Sequence, residues 1–220
     1  MHAMADDHNR AIAQAAKAAL APLGFRRKGQ SRTWLADHGW WLTVIEFQPS
    51  AWGKGSYLNV APHWLWHPPA NHDPQYYLSF DYGAVRFSPF VAMEPGTAFE
   101  GIGGLIDTAI RVAKDFEMEL ATVEALADAT GRQADGRHPA DWPGFHAGVA
   151  AGLAGRPARA KARFEALLAT EALPNSGMHD AARALLALAD QPQAFRSRVN
   201  DAVMLRRVGL KLPALAEAPL

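Results

Sequence analysis

Residues 40–48 read WWLTVIEFQ, from Trp40 to Gln48. Aromatic and β-branched residues crowd this stretch, and such residues suit a pleated, half-buried surface. Side chains alternate across a strand. Trp41, Thr43, Ile45 and Phe47 therefore share one face, while Trp40, Leu42 and Val44 share the other, which turns polar at Glu46 and Gln48. A strand apolar on both faces at one end is central in its sheet, with its second face covered there. Pro49 ends it, because proline cannot donate to the ladder.

The reading extends outwards from this strand. Residues 50–55 (SAWGKG) are a turn with two glycines, and residues 56–66 return as the partner strand of a hairpin. Pro62 inside that run predicts an edge position or a bulge. Residues 32–36 (RTWLA) are an earlier strand, turning at Asp37, His38 and Gly39. Tyr76, Leu78, Phe80 and Tyr82 alternate, and residues 85–87 follow Gly83, which predicts a fourth strand or a second hairpin. Ahead of the sheet, Ile12, Ala16, Leu20 and Leu23 recur at helical spacing. They predict a helix over residues 7–23, with Asp6, Asp7 and Asn9 as caps and Gly24 at its end.

From residue 97 the helical period returns. Phe99, Ile102, Ile106, Ala109, Ala113, Phe116, Leu120, Val123 and Ala127 make one stripe, predicting a single long helix that ends near Gly131. Residues 131–143 are polar, with Gly and Pro, and read as a linker. Residues 144–170 then predict two helices around Gly155, Arg156 and Pro157, and further helices follow at 179–190 and 193–208. Gly148, Gly155, Ala160, Phe164 and Leu167, with Pro174, are spaced like one tetratricopeptide unit near residues 144–174. The expected fold class is α+β: an N-terminal helix, an antiparallel sheet of about four or five strands, a long helix, then C-terminal helical hairpins. The expected organisation is an α+β domain over residues 1–131 and a repeat-like helical segment over 142–210 packed on it.

Leu23-Gly24-Phe25-Arg26-Arg27-Lys28-Gly29, then Trp34, then Val44 to Ser50 (VIEFQPS), then Tyr57-Leu58-Asn59-Val60, occur in this order. The pattern, over residues 10–66, resembles a bacterial family catalogued as domain of unknown function 4304. The resemblance implies an α+β domain with an antiparallel sheet and supplies no activity.

Composition narrows the function classes. Twenty-two basic and 22 acidic residues balance, so no global field favours a polyanion, which argues against nucleic acid as a partner. The absence of cysteine excludes disulfides, thiolate metal sites and a cysteine nucleophile. Residues 1–10 lack a basic stretch followed by an apolar one, and no apolar run approaches a membrane span. A cytoplasmic protein with no membrane partner is expected.

Several residue groups invite a functional reading. Arg26, Arg27 and Lys28 follow a helix end, where cations complement the dipole and, with N–H groups near Gly29, can hold an anion. Asp37, Glu46 and Gln48 lack the nearby lysine that a metal-dependent phosphodiesterase site needs. His63 and His67 stand four apart, followed by His72 and Asp73, but no third metal ligand is fixed by spacing. No metal and no cofactor are therefore expected. No phosphate-binding loop, dinucleotide fingerprint or nucleophile elbow occurs.

Trp34, Trp40, Trp41, Trp52, Trp64 and Trp66 all fall between residues 34 and 66. Both faces of one sheet are core only if both are covered, so Trp52, Tyr57, Trp64 and Trp66 are candidates for an exposed recognition face. The expected function is a non-enzymatic module that binds a protein or peptide, of adaptor or immunity type. The alternative is a small-ligand or phosphate-binding protein, with or without catalysis. Its residues would be Arg26, Arg27, Lys28, Glu46, Gln48, Asn59 and His63, converging on a concave pocket.

Overall fold

The computed structural model describes residues 2–49, 55–68, 78–83, 85–92, 100–171, 177–217 and 220. Five strands form one antiparallel sheet in chain order: β1 (Arg26–Arg27), β2 (Thr33–Asp37), β3 (Trp41–Pro49), β4 (Gly55–Trp64) and β5 (Val85–Ala92). β3 is the middle strand, as its two-sided apolar pattern requires, and Leu42, Thr43, Val44, Ile45 and Phe47 are all buried. The β2–β3 register pairs Trp34 with Ile45 and Leu35 with Val44. The seven α-helices among the described residues are α1 (His2–Leu20), α2 (Glu100–Glu119), α3 (Val123–Ala134), α4 (Trp142–Leu153), α5 (Pro157–Leu168), α6 (Met178–Leu186) and α7 (Pro192–Gly209). The chain is an α+β protein with no described helix long and apolar enough to cross a membrane.

Four local expectations need correction. α1 begins at His2, so Asp6, Asp7 and Asn9 lie within the helix rather than at its cap. Its far end is as expected: a 3-10 turn (Ala21–Leu23) closes on Gly24 at φ +86°, whose N–H donates to the Ala21 carbonyl. Pro62 lies on no edge strand, because β4 sits between β3 and β5. The proline is tolerated beyond Val60, the last residue paired to β5 among the described residues, and the register shift falls at Ser56/Leu58 instead. Residues 78–82 are not a strand. The single helix expected to Gly131 is two helices, because the Thr122 hydroxyl caps α3 by accepting from the Ala125 N–H.

The chain divides into two compact units. The first comprises residues 1–38, 42–62 and 83–117, and the second comprises 39–41, 63–82 and 118–220. In the first, Ile12, Ala16 and Leu20 form the buried stripe of α1, while Ile102, Ile106, Ala109 and Ala113 form that of α2. In the second, α4 is the central helix, touching α3, α5, α6 and α7. Its sequence is apolar all round, the pattern of a helix buried on every side. Small residues let its neighbours approach: a Cβ at Gly148 would lie 2.6 Å from the Phe164 ring of α5. One at Gly152 would lie 2.2 Å from the Phe195 ring of α7.

Candidate functional site

The chemistry-bearing side chains of the second unit converge on one carboxylate. β4 ends at His63 and Trp64, and a turn closed by the His67 N–H donating to the Trp64 carbonyl carries the chain back. The turn, not strand periodicity, sets His67 beside His63, with ring centroids 6.1 Å apart. Residues 78–83 then supply Ser79 and Asp81, and α4 supplies His146.

Asp81 Oδ2 accepts the Trp64 backbone N–H at 2.8 Å. Asp81 Oδ1 lies 2.9 Å from His67 Nδ1 and 3.6 Å from His146 Nε2. His63 Nδ1 is 3.2 Å from Asp81 Oδ2 and 2.8 Å from Ser79 Oγ. His63 and His146 are wholly buried, and Ser79, Asp81 and His67 nearly so. The indole of Trp66 donates to His146 Nδ1 at 3.3 Å, while His146 Nε2 and His63 Nε2 have no hydrogen-bond partner. Trp142 stacks on His67 at 4.0 Å between centroids.

Burial alone would raise the Asp81 carboxyl. The imidazoles of His146, His63 and His67 turned towards it outweigh that effect and hold it well below the usual carboxylate range. Burial pushes His63 and His146 below the ordinary imidazole value, with Asp81 opposing and, at His63, the Arg206 guanidinium adding to the depression. At neutral pH the centre thus sets the ionised Asp81 carboxylate against the neutral imidazoles of His63 and His146.

Beside it lies a cavity of about 760 Å³. Trp66, Phe145, Val149, Leu185 and Val199 give it apolar walls, with His67 and Arg206 among its polar lining. Arg206 is buried, so its charge is set into the wall rather than waving above it. Asp180, Arg198, Asp201 and Lys211 supply further polar groups, and the exposed side chains of Leu205 and Val208 belong to the same lining.

The residues singled out from sequence separate into three groups. Arg26 and Arg27 are exposed, and Arg27 closes the β1–β2 turn by donating to the carbonyls of Ser31 and Gln30. Lys28 is half-buried, and its N–H donates to the Thr33 carbonyl. Glu46, Gln48 and Asn59 do converge: the Asn59 amide donates to both Glu46 and Gln48 at 2.9 Å. Tyr57 is half-buried on the same strand as Asn59. Trp52, His72 and Asp73 lie outside the described residues.

His63, Trp64 and Trp66 belong to the buried centre. Trp64 and Trp66 are 0% and 3% exposed and form a near-parallel stack with centroids 5.2 Å apart, to which Trp40 adds at 5.4 Å from Trp66. They offer no exposed recognition face, because both sides of the sheet end are covered. Asp81 and His146, the residues that complete the centre, were not singled out from sequence. The available signal for His146 was a lone imidazole in an otherwise apolar helix, which must be buried with it. Comparison with family models, with curated proteins and with solved structures finds no match for this chain.

Proposed function

We propose that the protein binds a small apolar molecule carrying one acidic group, in the cavity of the second unit. The cavity carries this reading: its volume and apolar walls are those of a small-molecule site, with polar groups gathered at one part. The apolar body packs against Phe145, Val149, Leu185 and Val199, and the acidic group lies towards Arg206 and His67. A buried guanidinium recognises a carboxylate by paired donors that water does not screen. Thermal shift with matched alkyl and aryl acids and their alcohols tests it. A ligand at about 100 times its Kd adds roughly 2.7 kcal/mol of stability, a rise of about 5–10 °C for a protein of this size. The acids raise the transition, the alcohols do so less, and Ala202→Trp, which puts an indole into the cavity, diminishes the effect. Equal shifts from acid and alcohol remove the anionic group from the proposal, and no shift from any compound removes the cavity as a site.

A second reading has one observation in its favour. Leu205 and Val208 on α7 are 72% and 73% exposed beside the cavity, an apolar pair that a peptide segment would cover. Leu205→Glu with Val208→Glu would then abolish capture of a partner that the wild-type protein retains.

A further inference from the structure

From the geometry we infer that His67, Asp81 and His146 form a binding site for a divalent transition-metal ion. Their donor atoms all lie within 4.8 Å of one another. A dication held at bond lengths near 2.1 Å needs neighbouring ligand atoms about 3.0–3.4 Å apart. The spacings of 2.9 Å from His67 Nδ1 to Asp81 Oδ1 and 3.6 Å from His146 Nε2 to the same oxygen bracket that range. His146 Nε2 is fully buried, without a hydrogen-bond partner, and aimed at this oxygen. An orphaned buried nitrogen is costly unless something fills the gap before it. The carboxylate is also pre-set: the Trp64 N–H and His63 engage Oδ2, which leaves Oδ1 to face the ion.

The donor set selects the ion. Two imidazoles and one carboxylate suit Zn²⁺, Co²⁺ or Ni²⁺ rather than Mg²⁺ or Ca²⁺, which prefer all-oxygen shells. Arg206, near His63, further disfavours an ion held by charge alone. Binding moves the His67 proton from Nδ1 to Nε2 and sets the His146 proton on Nδ1, and the 3.3 Å bond from Trp66 is given up. His67 borders the cavity, which provides the entry path and leaves coordination positions open. This inference does not depend on any organic ligand.

Titrating the full chain with Co²⁺ and with Zn²⁺ tests it directly. The expected result is one tight equivalent, with visible Co²⁺ bands of a nitrogen–oxygen site, lost in His67→Gln and in His146→Gln. Exposed histidines such as His138 offer weak surface sites, and the two variants touch the core, so a second measurement locates the ion in the wild-type protein. In the ¹H–¹⁵N spectrum, Co²⁺ should erase the Trp66 indole N–H signal at one equivalent. Metal that leaves the Trp66 signal intact, or no binding of either ion to the wild-type chain, overturns the site.

Discussion

Gly152→Ala should destabilise the protein although it replaces glycine by the best helix former. The substitution gains at most about 1 kcal/mol of helix propensity, because Gly152 is the penultimate residue of α4. Against it stands Phe195, whose ring carbons lie 2.2, 2.4 and 2.8 Å from the position of the new Cβ. Ordinary carbon contacts begin near 3.5 Å, so the ring must retreat by more than an ångström. It has little room, being 1% exposed and packed at 6.4 Å from the ring of Phe164, which itself presses on Gly148. Overpacking of this kind costs about 1–3 kcal/mol, and so large a displacement belongs at the upper end. The net loss is about 2 kcal/mol, a fall of roughly 4–8 °C in Tm.

Chemical denaturation of a double-mutant cycle makes the cause testable. Phe195→Leu alone costs about 1 kcal/mol or somewhat more, but combined with Gly152→Ala it relieves the clash, so the pair is more stable than the sum of the singles predicts. Gly104→Ala is the control: it lies in α2 with nothing within 4 Å of its Cβ position and should gain up to about 1 kcal/mol. A Gly152→Ala protein as stable as wild type, or a strictly additive cycle, refutes the packing argument.

Two further predictions concern ionised and buried groups. His38 titrates near pH 4, depressed by burial with Asp37 opposing, and His63 and His146 are lowered by burial too. Folded-state values below the unfolded value near 6.5 mean that the unfolded chain binds more protons, so stability is full above that pH and falls as pH drops through the folded values. The lowered Asp81 adds a further loss in stronger acid, again present above its unfolded value and lost below. Denaturation midpoints at a series of pH values check the slope, and a histidine NMR titration placing His38 at 6 or above would refute its part. Arg207→Lys should cost about 1.5–3 kcal/mol in denaturant titration, because the buried guanidinium donates to the carbonyls of Gly39 and Pro213 at 2.7 and 2.8 Å and an ammonium cannot span both. An unchanged midpoint would show that one of those bonds is dispensable.

Much of the fold was legible because its signals are local. The two-sided apolar run of β3 marked a central strand, and Gly148 with Phe164 marked the α4–α5 hairpin. The break at Thr122 was hidden because Phe116, Leu120, Val123 and Ala127 keep helical spacing across it. β1 is too short, at two residues, to carry a period. The centre was harder for a different reason. Ser79 and Asp81 alternate with Leu78, Phe80 and Tyr82, which mimics a strand with a solvated polar face, yet both are buried. His146 lies 65 positions beyond Asp81, so no spacing rule links them. Neither residue falls within the span, residues 10–66, that carries the family resemblance.

The interleaving of the two units has a consequence for genetics. Because the chain passes between them five times, no single cut releases either one as a continuous piece. A gene fragment encoding residues 118–220 would keep α3 to α7 but lose Trp40, His63, Trp64, Trp66, His67 and Asp81, leaving His146 without its carboxylate. Recombination at one crossover between residues 39 and 117 would likewise sever both units at once. A ribosome must therefore pass His146 before the centre around Asp81 can assemble, and inheritance must pass the two units on together.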